Sequence, residues 1–283
     1  DTTKANIEPY AVLSHTWGHD EVTFQDMMLP NVLSKEGYSK ITETCRLALA
    51  EDLNYVWIDT CCIDKTSSAE LTETINSMFE LYKKVAVCYV YLQDLDPQTY
   101  LKNGLKSCRW ITRGWTLQEL LASEKVHFYD RTWRCRGSKV DWAHDISIAT
   151  GIHHDALLGR PLQAFSIAQR MSWASDRETT RAKDLAYYLL GIFEVHMPLI
   201  YGEGKHAFRR LQEEIVKRTN ELTIFAWNQS KDCMNCTDPE PDHDGLFAPS
   251  PSNFYTSHDI IRSSHFESEF TLTNRGLKLK HHI

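Results

Sequence analysis

Side chains with chemical potential cluster where short apolar runs end. Asp59 closes Tyr-Val-Trp-Ile-Asp, and Asp64 and Lys65 follow it closely. His15, Trp17 and Asp20 occupy the polar loop behind Tyr-Ala-Val-Leu-Ser, a run that ends at Ser14. Glu119 lies in Arg-Gly-Trp-Thr-Leu-Gln-Glu-Leu, which Arg113 opens and which holds Trp115. A positioned carboxylate can stabilise a developing cation. A Trp offers a face for adenine or nicotinamide, and an Arg binds phosphate or pairs with a carboxylate. Each residue also has a plainer role. Thr116 and Glu119 fit a Thr-x-x-Glu capping box, and the helix dipole favours a first-turn Glu in any case. Asp59 suits a turn, a loop Trp is more commonly packed away, and Asp184 orders a helix start. Arg170, Arg177 and Arg181 read as solvated surface or ion pairs. Cys61-Cys62 beside Asp64 invites a thiol nucleophile, but no positioned His accompanies it in the sequence. Cys233-x-x-Cys236 with His243 is half a zinc signature without a second pair, so a linker with two thiols and no metal is expected. No Gly-rich phosphate loop is present.

The elements that must hold these residues follow from periodicity. Residues 10–14, 55–58, 85–91 and 125–129 are short apolar runs rich in β-branched and aromatic residues, and read as strands. Ser67 and Glu70 mark a helix start, and Leu71, Ile75, Met78, Phe79 and Tyr82 share one face after it. Helices are also expected over 38–52 and 116–123, with a polar loop over 94–107. The alternation predicts an α/β fold, a mostly parallel sheet of four or five strands flanked by helices. Ligands of such sheets gather beyond the C-terminal strand ends, where Asp59, Asp64, Lys65 and the Glu119 segment would lie. Beyond residue 130 the pattern becomes helical, over 164–174, 180–191 and 205–218, with Gly191 as an expected C-cap. A polar linker is expected over 228–243. Alternating segments such as Phe270-Thr-Leu-Thr and Leu277-Lys-Leu-Lys read as strands whose partners lie beyond the chain. The expected organisation is an α/β core over 1–130, a helical part over 131–228, and a linker with the start of a β-containing segment over 229–283.

Composition sets the outer limits. A chain of 283 residues with 42% hydrophobic residues can bury a substantial core. A net charge of −7 and a pI near 6.0 argue against DNA binding driven by bulk charge. No apolar run reaches the length of a membrane span, and no signal peptide opens the chain. The absence of an initiator Met suggests an excised fragment. Eight Cys, some inside apolar patterns, fit reduced thiols and a cytoplasmic setting.

Four stretches together resemble a known family: Tyr-Ala-Val-Leu-Ser-His-Thr-Trp-Gly from Tyr10, Trp-Ile-Asp-Thr-Cys-Cys-Ile-Asp-Lys from Trp57, Arg-Gly-Trp-Thr-Leu-Gln-Glu-Leu from Arg113, and Ala-Lys-Asp-Leu-Ala-Tyr-Tyr-Leu-Leu-Gly-Ile-Phe from Ala182. They look like the fungal heterokaryon-incompatibility (HET) domain over about residues 10–227. That resemblance implies fungal non-self recognition that triggers programmed cell death. It also implies a larger protein, in which an oligomerisation module and a repeat sensor follow. A more distant resemblance runs to TIR domains. Ala-Val-Leu-Ser is similar to the first TIR strand, and Trp-Thr-Leu-Gln-Glu-Leu to the TIR segment Trp-Cys-x-x-Glu-Leu, whose Glu is catalytic in NAD-cleaving members. This implies a TIR-like, flavodoxin-like sheet with Glu119 catalytic. Ser14, His15, Trp17, Asp59, Arg113 and Trp115 would then hold the nucleotide. NAD or NADP would be substrate, no cofactor would be required, and self-association would accompany activity. Thr116 replaces the usual Cys, and the helical region after residue 130 has no TIR counterpart. The contrasting expectation is a self-associating death-signalling module without catalysis.

Overall fold

The computed structural model describes residues 8–200, 202–228, 245–262, 270–273 and 276–279. They fall into two compact units, residues 1–159 and 160–283.

The first unit is built on a five-stranded sheet in the order β2-β1-β3-β4-β5. β1 (Tyr10–His15) and β3 (Val87–Tyr91) are buried along their whole length, as their unbroken apolar runs require of strands covered on both faces. β1 pairs in parallel with β2 (Tyr55–Ile58) and with β3, and β3 pairs in parallel with β4 (Val126–Tyr129). This is the expected α/β fold, in the strand order of flavodoxin-like sheets. The fifth strand, β5 (Cys135–Ser138), runs antiparallel on β4 with an irregular register at Phe128 and Tyr129. It lies past residue 130, so the sheet outruns the expected core. β5 carries Gly137 at φ +114, and a Cβ there would stand 2.5 Å from the Trp142 indole nitrogen.

Three helices matter for the site. α1 (Tyr38–Ala50) links β1 to β2, and α2 (Ser68–Lys83) links β2 to β3. Ser67 caps α2 by accepting the Glu70 amide, as the sequence indicates. Its buried stripe is Thr74, Met78, Leu81 and Tyr82, one step round from the expected face. The loop expected over 94–107 contains a turn of helix at Leu101–Gly104 and a 3-10 turn at Leu105–Ser107, and a further turn at Arg109–Thr112 stands between it and α3 (Thr116–Ala122). α4 spans Ala143–Thr150, and a single helical turn at His154–Leu157 follows it in this unit.

The second unit is less helical than its periodicity suggests. α5 (Ile167–Ser172) is short, wholly buried and closed by a Ser166–Gln169 capping box. Over 180–191 only Asp184–Tyr187 is helical, and Tyr188 is its C-cap, so Gly191 does not cap it. Tyr187 to Leu190 are all buried, and burial on every side removes the distinction that periodicity depends on. α6 (His206–Val216) matches its expected span. Gln212 on α6 exchanges hydrogen bonds with the Ala248 backbone at 2.9 and 3.0 Å. β6 (Phe270–Thr273) and β7 (Gly276–Leu279) pair antiparallel with each other, which corrects the expectation of partners beyond the chain. The Cys233, Cys236 and His243 reading lies outside the described residues.

Candidate functional site

The parallel strands bring Ser14 and His15 to the C-terminal end of β1, at the sheet's centre. Leu13 is level with Ile58 across the β1–β2 pair, so Ser14 and Asp59 follow side by side. His15 is level with Tyr91 on β3. The chain leaves β1 toward β2 and leaves the neighbouring β3 toward β4, so the connections depart in opposite directions between β1 and β3. Sheets of this order bind ligands at that switch.

Glu119 reaches this edge from α3. The Ser14 hydroxyl donates to Glu119 Oε2, and the Trp110 indole donates to Ser14 Oγ at 2.7 Å. Trp110 packs edge-on against Phe128 of β4, with ring centroids 5.9 Å apart. A buried Trp must place its N–H, and here it orders a hydroxyl that in turn faces a carboxylate. The capping-box reading of Thr116 and Glu119 does not hold. The N-cap of α3 is Trp115, in helical backbone and without a side-chain cap. The Thr116 hydroxyl donates instead to the carbonyls of Trp110 and Arg113, at 2.6 and 2.8 Å. Glu119 is therefore 8% exposed for a reason other than starting its helix. Burial, then the charge of Glu119, pushes the Tyr82 phenol well above its ordinary pKa. Asp59 acts on that phenol in the same direction, so both carboxylates address one point.

A second network surrounds His15. Its side chain is 1% exposed, with Nε2 3.7 Å from Glu21 Oε2 and Nδ1 3.9 Å from Asp59 Oδ1. Neither ring nitrogen makes a hydrogen bond to a protein group. Glu21 also binds the Lys40 ammonium, and accepts the Gly18 amide at 2.6 Å. Burial opposes ionisation of Glu21, but His15, Lys40 and the Gly18 amide outweigh it and hold its pKa at about 2. Asp59 Oδ2 accepts the Trp17 indole N–H at 2.9 Å, and the Lys65 ammonium stands 3.6 Å above the Trp17 ring.

The structure thus joins Ser14 and Glu119 in one network, and His15, Trp17 and Asp59 in the other. Arg113 and Trp115, both half-buried, precede α3 directly. Sequence reasoning missed Trp110, Glu21, Lys40 and Tyr82. Trp110 had the one available signal, an indole N–H that would need a partner once buried. Cys61 and Cys62 lie in the turn after Asp59. Cys61 donates to Cys62, which makes Cys62 the more acidic thiol, and the Ile58 amide 3.4 Å from Cys62 Sγ adds to this. Among the described residues no group of three or more His, Cys, Asp or Glu could hold a metal ion. No helix among them is long and apolar enough to cross a membrane.

Comparison with known proteins settles the family. The heterokaryon-incompatibility family matches residues 10–109, the segment holding both networks apart from α3 and Trp110. The vegetative incompatibility protein HET-E-1 of Podospora anserina is 47% identical over 227 residues, 77% of this chain. Residues 10–109 form a HET domain. The chain spans 17% of the length of that curated relative. A domain of unknown function matches residues 206–280, which include α6 and the β6–β7 hairpin of the second unit. No solved structure matches. The HET match takes in β1, α1, β2, α2 and β3, and stops one residue before Trp110.

Proposed function

We propose that this HET domain serves fungal vegetative incompatibility as a death-inducing effector, and that it acts in the cytoplasm by cleaving the nicotinamide–ribose bond of NAD or NADP. The observation that carries this reading is the Ser14–Glu119 contact. A buried carboxylate, unused as a helix cap, is held by a central-strand hydroxyl where sheets of this order bind ligands. Cleavage breaks the bond between the ribose C1′ and the pyridinium nitrogen. The bonding pair leaves with neutral nicotinamide, water adds to C1′, and a proton is released. The transition state is oxocarbenium-like, and a fixed carboxylate stabilises it. Glu119 takes that role, while Ser14 and Trp110 fix its position. His15, Trp17 and Asp59 line the nucleotide, and Arg113 and Trp115 bound it. No resident cofactor is needed, because the nucleotide is the substrate.

A specific observation favours self-association as part of activation. The β1–α1 connection exposes Phe24, Met27, Met28, Leu29 and Leu33, with Met28 81% exposed. Apolar side chains so concentrated favour contact with another protein surface. The test is nicotinamide release from NAD and NADP by the chain fused to an oligomerising module, beside the unfused chain in dilution. Release that rises on assembly is expected. Cell killing by the assembled form with no nicotinamide released would overturn the hydrolase reading and leave a non-catalytic signalling module.

A further inference from the structure

We infer that the outer face of Trp17 is a subsite for a cationic ring, and that Lys65 occupies it as a placeholder until a pyridinium displaces it. The inference rests on the hydrolase reading for its substrate class. Its evidence is a separate set of contacts from the Ser14–Glu119 pair.

Trp17 is 43% exposed, an unusual condition for an indole beside a buried histidine. Its N–H is committed to Asp59 Oδ2 at 2.9 Å, which fixes the ring at the rim. An indole that donates to a carboxylate is polarised, and its face becomes more electron-rich. Such a face attracts cations, and Trp is the strongest of the aromatic side chains in this respect. The Lys65 ammonium is already there, 3.6 Å from the ring centroid. A face that holds an ammonium at this distance suits a flat cation better, because stacking adds to the electrostatic term.

The surrounding charge has the same sense. Asp59 lies at the indole edge, and Glu21 stands on the far side of His15. Lys40 is engaged by Glu21 and the Thr16 carbonyl, so it does not offset Asp59 at the ring. Lys65 is exposed and carries its ammonium on a flexible stem. The ring that fits is the oxidised nicotinamide of NAD or NADP, a permanent cation. The dihydronicotinamide of the reduced dinucleotide and free nicotinamide carry no ring charge. Trp17 therefore discriminates by redox state, and after cleavage the neutral product loses the cation–π attraction while Lys65 returns. The subsite both selects the substrate and favours product release.

The test needs no turnover. The chain, labelled with nitrogen-15, is titrated with 1-methylnicotinamide, a cationic pyridinium, and separately with neutral nicotinamide, while the Trp17 indole and Gly18 amide signals are followed. A saturable shift with the cation, and a much weaker one with nicotinamide, is expected. Lys65→Ala should tighten the cation about 2- to 5-fold, the range set by a solvent-exposed cation–π contact. Trp17→Leu, followed at Gly18, should abolish the shift. If Trp17→Leu does not fold, Lys65→Ala alone decides, because Lys65 is a surface residue. Equal shifts with both probes, no shift with either, or Lys65→Ala binding no more tightly would overturn the inference. A cation-specific shift without nicotinamide release in the assembled form would keep this subsite and remove the hydrolase reading. Release without any shift at Trp17 would do the reverse.

Discussion

The two ends of the parallel strands carry buried and half-buried charges in different states of satisfaction. At the N-terminal end, Glu51 accepts the Tyr89 phenol at 3.0 Å and the Lys125 ammonium at 2.5 Å. Each of its oxygens has a donor, and the cluster is a closed account of strand β3, the end of α1 and the start of β4. At the C-terminal end, Glu119 is held by the Ser14 hydroxyl, and His15 lies buried between Glu21 and Asp59 with no hydrogen bond on either nitrogen. Buried polar atoms without partners are costly, and they persist where something other than stability selects them. Both ends contain a glutamate near an aromatic hydroxyl, so residue type does not separate them. What separates them is position on the sheet and the buried His15, whose ring nitrogens make no hydrogen bond to a protein group. The proposed site lies at the C-terminal end, and each expectation below either breaks that difference or sharpens it.

The largest effect is expected at Glu119. Glu119→Gln preserves shape and can still accept from Ser14, but it removes the charge that a ribosyl cation requires. Nicotinamide release by the assembled form should fall about 10²- to 10³-fold, the range for loss of one preorganised group. The melting temperature should hardly change, because Glu119 does not cap α3. Undiminished release with unchanged melting would return Glu119 to a structural role and erase the distinction between the two ends.

Next comes Glu21, the acid that most firmly belongs to the site's scaffold. Glu21→Ala strands the buried Lys40 ammonium without its carboxylate and should cost about 3–5 kcal/mol of stability. Its pH signature follows from its depressed pKa, about 2 in the fold against an ordinary 4.5. A depressed carboxylate contributes stability that is fully present above pH 4.5 and is lost as pH falls toward 2. Urea unfolding across that window should show a steeper acid limb in the wild type than in Glu21→Ala. Parallel limbs would show that the Lys40–Glu21 pair does not differ from a surface pair.

Lys139 supports α3 from below. It is buried, and its ammonium donates to the carbonyls of Leu120, at 3.1 Å, and Ser123 at the end of the helix that carries Glu119. Burial lowers its pKa from 10.5 to about 8, against the opposing charges of Cys88 and Glu124. Between those values the unfolded chain holds more of this proton than the fold does, so this group makes stability rise with pH from about 8 to 10.5 and cost most below about 8. The gain over that interval is about 2–3 kcal/mol. Lys139→Met should flatten it, as read by the difference between the two proteins' urea midpoints at pH 8 and pH 10. Equal slopes would place the shift elsewhere.

Much of the architecture was legible, and the reasons are specific. β1 and β3 announced themselves because a central parallel strand has no polar alternation, and α2 because Ser67 and Glu70 bracket its start. β5 gave no sign: Cys-Arg-Gly-Ser is a polar edge strand, and Gly137 in its middle adopts positive φ. Glu119 was found through its segment, yet its local context misled. A helical turn at Arg109–Thr112 precedes α3 and turns the Thr116 hydroxyl back onto its carbonyls. Glu21 and Lys40 were invisible because they meet across a loop whose shape no periodicity encodes. Trp17 and Asp59 were each named from the sequence, but the hydrogen bond between them spans 42 residues and only the fold reveals it.

The smallest effect is expected at the closed end, and it completes the comparison. Lys125→Met removes the ammonium from Glu51 and leaves the Tyr89 phenol as its donor. The Lys125 side chain is half exposed and that of Glu51 about one-third, so screening by water limits the pair to about 0–1 kcal/mol. Burial opposes ionisation of Glu51, but Lys125 and Tyr89 outweigh it and hold its pKa below the usual value. Its stabilising contribution is therefore present above the ordinary carboxylate range and is lost as pH falls through the depressed value. Lys125→Met should weaken that acid dependence slightly and leave nicotinamide release unchanged, since Lys125 and Glu51 stand at the far ends of the strands from Ser14. The measurement is release per assembled protomer alongside the acid limb of unfolding. A fall in release comparable to that of Glu119→Gln, without loss of folding, would mean that the two ends are coupled through β3 and β4. Charge at the N-terminal end would then be part of the site rather than its counterexample.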